Sequence, residues 1–229
     1  MPANKRYDNL LSLPLFLGMS RDDLQKAAGQ TRLDFRKIEP DTVIAANGSP
    51  CTHLYFLLDG KVKVQTSCED NGYCMEETIS PPDAFQPECL FGLHQYFTHT
   101  FTALTQCSLL CITKQEALQL STDFIIFRLN LLNLVTTQSQ RYYRRTLQVP
   151  PATLDERIVR FFKSLCIHPE GQKILHITMR RLALETNDTR IKVSRALNRL
   201  QAQGLIRLQR SRIVIPAMEK CQADSKNHL

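Results

Sequence analysis

No apolar run in this 229-residue chain approaches the ~20 residues that a membrane-spanning helix needs. The longest are residues 124–127 and 131–135, the second interrupted by Asn133, which argues against an integral membrane protein and against a membrane partner. Eight cysteines are scattered through the chain without a CxxC pair or a Cys/His quartet at zinc-ligand spacing. No metal site is expected, and the thiols are read as reduced and mostly buried. There is no nucleophile elbow, no HExxH and no P-loop, so no enzymatic activity is expected. Lys5 and Arg6 precede a stretch at residues 10–19 that faintly echoes a secretory signal. Pro14 breaks it, Arg21-Asp22-Asp23 follows, and no small-x-small cleavage site appears. That stretch is read as a folded segment and the protein as cytoplasmic. Internal repeats and low-complexity segments are also missing, and a 43% hydrophobic, 22% charged composition is that of a globular chain.

What the chain does have is an uneven charge. Residues 1–140 carry 11 Lys/Arg against 15 Asp/Glu, a balance of −4, whereas residues 141–213 carry 16 against 5, a balance of +11. An acidic front joined to a basic back points to two modules, the second facing a polyanion.

Texture along the sequence agrees. From Thr31 to about Thr113 the chain reads as short strands: Leu33 and Phe35 alternating with charges, then residues 42–45, 53–58, 61–64, 78–79, 100–105 and 108–113. They are separated by turn chemistry at Asn47-Gly48-Ser49-Pro50, Asp59-Gly60, Asp70-Asn71-Gly72 and Pro81-Pro82-Asp83. Many short strands at close spacing predict a small barrel or sandwich. Cys107 and Cys111 fall on one face of a strand, too far apart for a bridge. Residues 121–145 have neither Gly nor Pro and carry two apolar stripes, Ile125, Leu129, Leu132, Thr136 and Phe127, Leu131, Leu134. A helix apolar on two faces needs two covering surfaces, here its own barrel and a second copy of itself. Pro150-Pro151 stops it, and Thr153-Leu154-Asp155-Glu156 has the form of a capping box.

Residues 177–215 carry the functional signal. Leu182 and Ala183 sit on a short helix, Asn187-Asp188 turns the chain, and Asp188 or Thr189 caps a second helix. That helix has Val193, Ala196, Leu197 and Leu200 at core spacing. It presents Arg190, Ile191, Ser194, Arg195, Asn198 and Arg199 on the other side, with no acid among them. Gly204 ends it, and residues 205–215 alternate as a basic-tipped hairpin. This is the plan of a winged helix-turn-helix. Arg matches guanine O6/N7 and Asn matches adenine, while Thr, Ser and Lys serve phosphates. The bland alternative, a helical hairpin with a solvated basic face, does not explain the missing acids.

These residues resemble the DNA-binding module of the cyclic-AMP receptor / fumarate-nitrate regulator (CRP/FNR) family, without a gap over residues 177–206. The front half is similar too, through Leu13-Pro14-Leu15-Phe16, Met19-Ser20-Arg21-Asp22-Asp23-Leu24, and residues 54–62, LYFLLDGKV. The resemblance implies an α+β chain with a cupin-like, cyclic-nucleotide-binding-like β-roll (residues 1–120), a long dimerisation helix and hinge (121–150) and a winged helix-turn-helix (151–229). It implies a homodimer on a roughly palindromic double-stranded DNA site, with RNA polymerase as a further partner. Arg190, Ile191 and Arg195, with Ser194 and Asn198, fall among the base-reading places. Arg180, Thr189, Lys192 and Arg199 fall among the phosphate-contacting ones. Where the family often has Glu this chain has Ile191, which can touch a thymine methyl but cannot accept from cytosine.

The effector site departs further from the family. Cyclic-nucleotide binders of this fold use a Gly-Glu pair for the ribose and an Arg-Ser pair for the phosphate. Here the stretch is Gln86-Pro87-Glu88-Cys89-Leu90-Phe91, and Phe97-Thr98, next to His99, stands at the Arg-Ser place. Without that Arg the phosphate loses its bidentate partner, so cyclic AMP is not expected as effector. Tyr142 and Tyr143 take the adenine-facing places and are bulky enough to fill the pocket themselves. No iron–sulfur cluster is expected, because the first Cys is Cys51. Haem stays open as a cofactor through His53, His94, His99 or the cysteines, which would make the protein a haem or redox sensor. A cyclic-nucleotide regulatory subunit without a DNA role is the alternative of another class.

Overall fold

The computed structural model describes residues 10, 13–31, 33–147 and 149–221. The Lys5-Arg6 pair lies outside them. The α+β architecture is a β-roll, a long helix and a winged helix-turn-helix. Eight strands come first: β1 (Asp34–Ile38), β2 (Val43–Ala45), β3 (His53–Asp59), β4 (Val62–Ser67), β5 (Tyr73–Ile79), β6 (Asp83–Ala84), β7 (Thr100–Ala103) and β8 (Cys107–Thr113). The chain clusters into two compact units. One is residues 1–63 with 79–147, and the other is residues 64–78 with 148–229.

In the first unit an antiparallel sheet has the order β1-β8-β3-β6, and β2 pairs with β7. The sheet closes its core with Leu54, Phe56 and Leu57 of β3 against Leu109, Leu110 and Ile112 of β8, all at most 1% exposed. The Asp59-Gly60 turn needs its glycine. Its φ is +95°, and a Cβ there would sit 2.6 Å from the Gln106 carbonyl oxygen and 2.7 Å from Cys107 Sγ. Cys107 and Cys111 are buried free thiols, as are Cys51 and Cys89, and no disulfide joins any of the eight cysteines.

Among the described residues the unit also contains α1 (Arg21–Gln30), α2 (Lys114–Asp123) and α3 (Ile125–Thr146). Ser20 caps α1, and a Thr113–Glu116 capping box starts α2. The helix expected from residue 121 is broken. Residues 121–123 close α2, and Phe124 turns extended (φ −127°, ψ 105°) before α3 begins. No Gly or Pro marks that break. Phe124 is 8% exposed, and burying its ring out of helical register outweighs one continuous helix. Along α3 the two stripes behave differently. Phe127 and Leu131 are buried, with Phe127 edge-on to Phe16 at 5.4 Å. Ile125, Leu129 and Leu132 are 53%, 48% and 55% exposed. Asn130 Nδ2 ties α3 to the N-terminal segment by donating to the carbonyls of Leu15 (3.1 Å) and Leu17 (2.8 Å).

The second unit contains α4 (Leu154–Ser164), β9 (Lys173–Ile177), α5 (Met179–Glu185), α6 (Arg190–Ala202), β10 (Arg207–Gln209) and β11 (Arg212–Ile215). The Thr153–Glu156 capping box is present. Strand β9, unforeseen in the sequence, sits between β11 and β5 in the order β10-β11-β9-β5. The 64–78 hairpin is therefore part of this unit's sheet, with Tyr73–Glu77 running antiparallel to Ile177–Lys173. A buried ion pair fastens it: Lys173 Nζ lies 2.9 Å from Glu77 Oε2, both side chains at most 2% exposed. The Glu77 carboxylate also accepts from the amides of Ile167 (2.6 Å) and His168 (3.2 Å). Lys173 donates to the Glu170 carbonyl at 2.7 Å. Ile158, Phe162, Leu175, Leu182, Val193, Ala196, Leu197, Leu200 and Ile213 form the core.

Candidate nucleic-acid interface

The interface is built on α6. Thr189 is its N-cap, accepting from the Lys192 amide, and Asn187 takes the left-handed conformation (φ 49°) that the tight turn needs. Asp188 pins the turn. Its carboxylate takes Arg157 Nη2 at 2.7 Å, Lys192 Nζ at 3.4 Å and the Thr189 amide at 2.8 Å, while Arg157 Nε donates to the Thr186 carbonyl at 3.2 Å. The Thr189 amide, helped by the two cations, holds the Asp188 carboxyl below the usual carboxylate range. The sequence points to Asp188 as part of the turn and as a possible cap, not as an anchor. Its anchoring by Arg157, 31 residues away, leaves no local sequence signal.

Val193, Ala196, Leu197 and Leu200 are buried. At about 100° per residue, Ile191, Arg195 and Asn198 then lie within about 30° of the opposite direction. Ser194 leans to one margin with Arg190 beyond it, and Arg199 and Lys192 lie at the other. All seven are exposed. Ion pairing separates the cations further. Arg199 is held by Asp155, with Nε 3.0 Å from Oδ2, and Lys192 by Asp188. On α5, Arg181 is held by Asp70 and Glu185. Arg180, Arg190, Arg195, Arg207 and Arg210 have no carboxylate partner among the described residues. Beside the wing, Arg180, Arg190 and Arg212 line an open cleft of about 400 Å³ with Thr178, Gln209 and Ser211, floored by Ile177, Leu197 and Ile213.

The β-roll residues singled out in the sequence fall in two places. Glu88 lies on a single 3₁₀ turn (Pro87–Cys89) entered through Gln86 in a left-handed conformation (φ 41°). Gln86 Oε1 accepts from the amides of Thr98 (3.0 Å) and His99 (3.2 Å), and its Nε2 donates to Thr98 Oγ1 at 2.6 Å. Phe97 is buried, its ring 6.2 Å from those of Tyr55 and Phe101. Glu88 Oε2 is shut from solvent without a hydrogen-bond partner, and burial raises the Glu88 carboxyl pKa. Gln86, which the sequence reading passed over, thus occupies the two amides beside the expected phosphate place. Tyr142 and Tyr143 are 47% and 66% exposed on α3, so neither ring fills a pocket in the roll.

The histidines are dispersed. His53 Nδ1 is 2.8 Å from Thr52 Oγ1, with its ring over Tyr55, and His99 is buried edge-on to Phe101, while His94 is exposed. No group of three or more potential metal ligands gathers among the described residues. Burial pushes the Cys51 and Cys111 thiols up to about 11 and Cys89 to about 12, far from thiolates at neutral pH. No helix among the described residues is long and apolar enough to cross a membrane.

Two family models match the chain, the cyclic nucleotide-binding domain over residues 35–123 and the Crp-like helix-turn-helix domain over residues 156–223. Among solved structures the fold is similar to that of a Eubacterium rectale protein described as a regulator of the Crp/Fnr family (20% identity, TM-score 0.54, covering 92% of this chain and 96% of that one). It is also similar to the c-di-GMP responsive global regulator CLP of Xanthomonas campestris (18%, 0.51, 86% and 99%). A third is the sensor domain of the transcriptional regulator DNR of Pseudomonas aeruginosa (18%, 0.50, 66% and 97%). At these identities the likeness is one of fold. No curated protein sequence matches.

Proposed function

The chain belongs to the CRP/FNR family of transcription regulators, and from that premise we propose that it acts as a homodimer reading a roughly palindromic DNA site. The observation that carries this is the outward face of α6, where Ile191, Arg195 and Asn198 project without an acid among them and Arg195 has no carboxylate partner among the described residues. Ile191, Arg195 and Asn198 read base edges, with Ser194 beside them. Arg190, which the resemblance places among the base-reading residues, stands at the wing-side margin of the helix away from its outward direction and so joins Arg180 and Arg212 on the phosphate backbone. Thr189 caps the helix and offers its hydroxyl to the same strand. Lys192 and Arg199 reach phosphates only by exchanging Asp188 and Asp155, whose side chains are 12% and 25% exposed, for DNA.

The effector of the β-roll is a ligand other than cyclic AMP. Supporting this, Phe97 and Thr98 stand where the family's Arg-Ser pair would be, and Gln86 already occupies the adjacent amides. A cyclic phosphate would have to displace that carboxamide without gaining a guanidinium in exchange.

The test is selection of sites by the full-length protein from a random duplex pool, followed by titrations at 50 and 200 mM salt. An enriched motif with two half-sites about 10 base pairs apart is expected. Affinity should fall by about 10³ or more between the two salts if six or more phosphates are neutralised. Arg195→Ala should cost about 1–3 kcal/mol on the selected site and little on random DNA. An unenriched pool or a flat salt curve overturns the reading.

A further inference from the structure

We propose that Ile191 is a specificity-determining residue that reads the C5-methyl group of a thymine, so that each half-site carries a thymine recognised by apolar contact rather than by hydrogen bonding. This rests on the DNA-binding reading of α6 and goes beyond it by naming what that face selects.

Ile191 is 67% exposed in the first turn of α6, on a unit whose other large aliphatic residues of that helix, Val193, Leu197 and Leu200, are at most 3% exposed. It does not belong to the core stripe. At about 100° per residue it points within about 10° of the direction opposite that stripe, closer to the outward axis than Arg195 or Asn198. Its neighbours are polar or cationic: Arg190, Lys192, Ser194 and Arg195, all exposed. An isolated β-branched side chain at the apex of a cationic face neither packs the fold nor favours the helix.

The major groove supplies the missing partner. Of the groups that base pairs display there, only the thymine methyl is apolar. The alternatives on a base edge are donors and acceptors that isoleucine cannot satisfy and would desolvate at a cost. Placing Ile191 against cytosine N4 or guanine O6 is therefore penalised, while thymine gains from burial of methyl against methyl. One side chain both selects thymine and rejects the other bases.

Uracil isolates the methyl group, because it pairs as thymine does and differs only at C5. The experiment takes the site enriched by selection and replaces each half-site thymine in turn by uracil. Binding of the full-length wild type, Ile191→Ala and Ile191→Val is then measured at fixed salt. One thymine per half-site should prove sensitive in the wild type. Its replacement should weaken binding about fourfold in one half-site and about 15-fold in both, the yield of one buried methyl group each. Ile191→Ala should bind thymine and uracil sites equally, and Ile191→Val should keep part of the difference. Far-ultraviolet circular dichroism of the variants should match that of the wild type, since the substitutions are at an exposed position.

Two results overturn the inference while leaving the DNA-binding reading standing. In the first, no half-site thymine is sensitive to uracil. In the second, the sensitivity persists undiminished in Ile191→Ala. Failure to enrich any site would overturn the DNA-binding reading itself.

Discussion

Glu88 shows how much one buried group reveals. A carboxyl ordinarily titrates near about 4.3, and burial raises its value in the fold, where Oε2 has no hydrogen-bond partner. The folded chain therefore holds this proton more tightly than the unfolded one. Below the unfolded value both states keep it and nothing is lost. As the pH climbs through the unfolded value toward the folded one, stability drains away, and above the folded value the loss is complete. Glu88→Gln keeps the shape and removes the charge. Its melting temperature should match the wild type near pH 4 and exceed it at pH 7–8, measured by thermal denaturation across pH. A difference independent of pH would show that the carboxylate is satisfied by a route other than protonation.

Among the elements, the pairing of the hairpin strand β5 with strand β9 is closed at one end by a buried ion pair. Glu77 and Lys173 are both shut from water, and the carboxylate completes its bonding with the amides of Ile167 and His168. Glu77→Ala leaves an ammonium buried with only the Glu170 carbonyl, and such uncompensated charges cost about 3–5 kcal/mol. Urea denaturation should show a loss of that size. Glu77→Ala combined with Lys173→Met should recover much of it, because the stranded charge is gone. A single-variant loss under about 1 kcal/mol would mean that water reaches the lysine. The same pair explains why β9 was not legible in the sequence. Residues 173–177 read KILHI, too short for a firm pattern and opened by a lysine that suggests surface, and their partner strand lies some hundred residues earlier. In the 64–78 segment the sequence shows only the ends of strands at 61–64 and 78–79 and the Asp70-Asn71-Gly72 turn, and nothing local distinguishes an edge that pairs within its own unit from one that pairs elsewhere. The helix-turn-helix was legible because its information is local: Thr189 caps, Asn187 turns, and Val193, Ala196, Leu197 and Leu200 repeat with the helical period. Phe124 was missed for the opposite reason, being a helix break imposed by the burial of one ring rather than by a breaker residue.

For the molecule as a whole, residues 148–213 carry 13 Lys/Arg against 5 Asp/Glu, while the 64–78 hairpin brings four carboxylates and no cation to the same unit. Polyanion contact therefore rests on where the cations stand, the acid-free face of α6, and the first unit leaves one apolar stripe of α3 uncovered. Ile125, Leu129 and Leu132 are each about half exposed, and Thr136 continues the line with its hydroxyl already donated to the Leu132 carbonyl at 2.6 Å. The threonine can therefore be buried without stranding a donor. Covering a half-exposed leucine or isoleucine contributes about 1 kcal/mol. In the proposed dimer each residue would count twice across the two-fold seam, so Leu129 and Leu132 together would supply about 4 kcal/mol, roughly a thousandfold in the dimer dissociation constant. Leu129→Glu with Leu132→Glu removes that contribution and sets like charges against each other across the axis. Sedimentation should find the variant as a monomer at concentrations where the wild type is dimeric, with helix content unchanged because neither residue packs in the core. On DNA the variant should keep weak binding to one half-site and lose the gain from joining two, since effective concentration across the pair of half-sites exists only in a dimer. A variant that still sediments as a dimer would move the seam off this stripe, and one that is monomeric yet binds the full site with wild-type affinity would mean that the dimer plays no part in reading it.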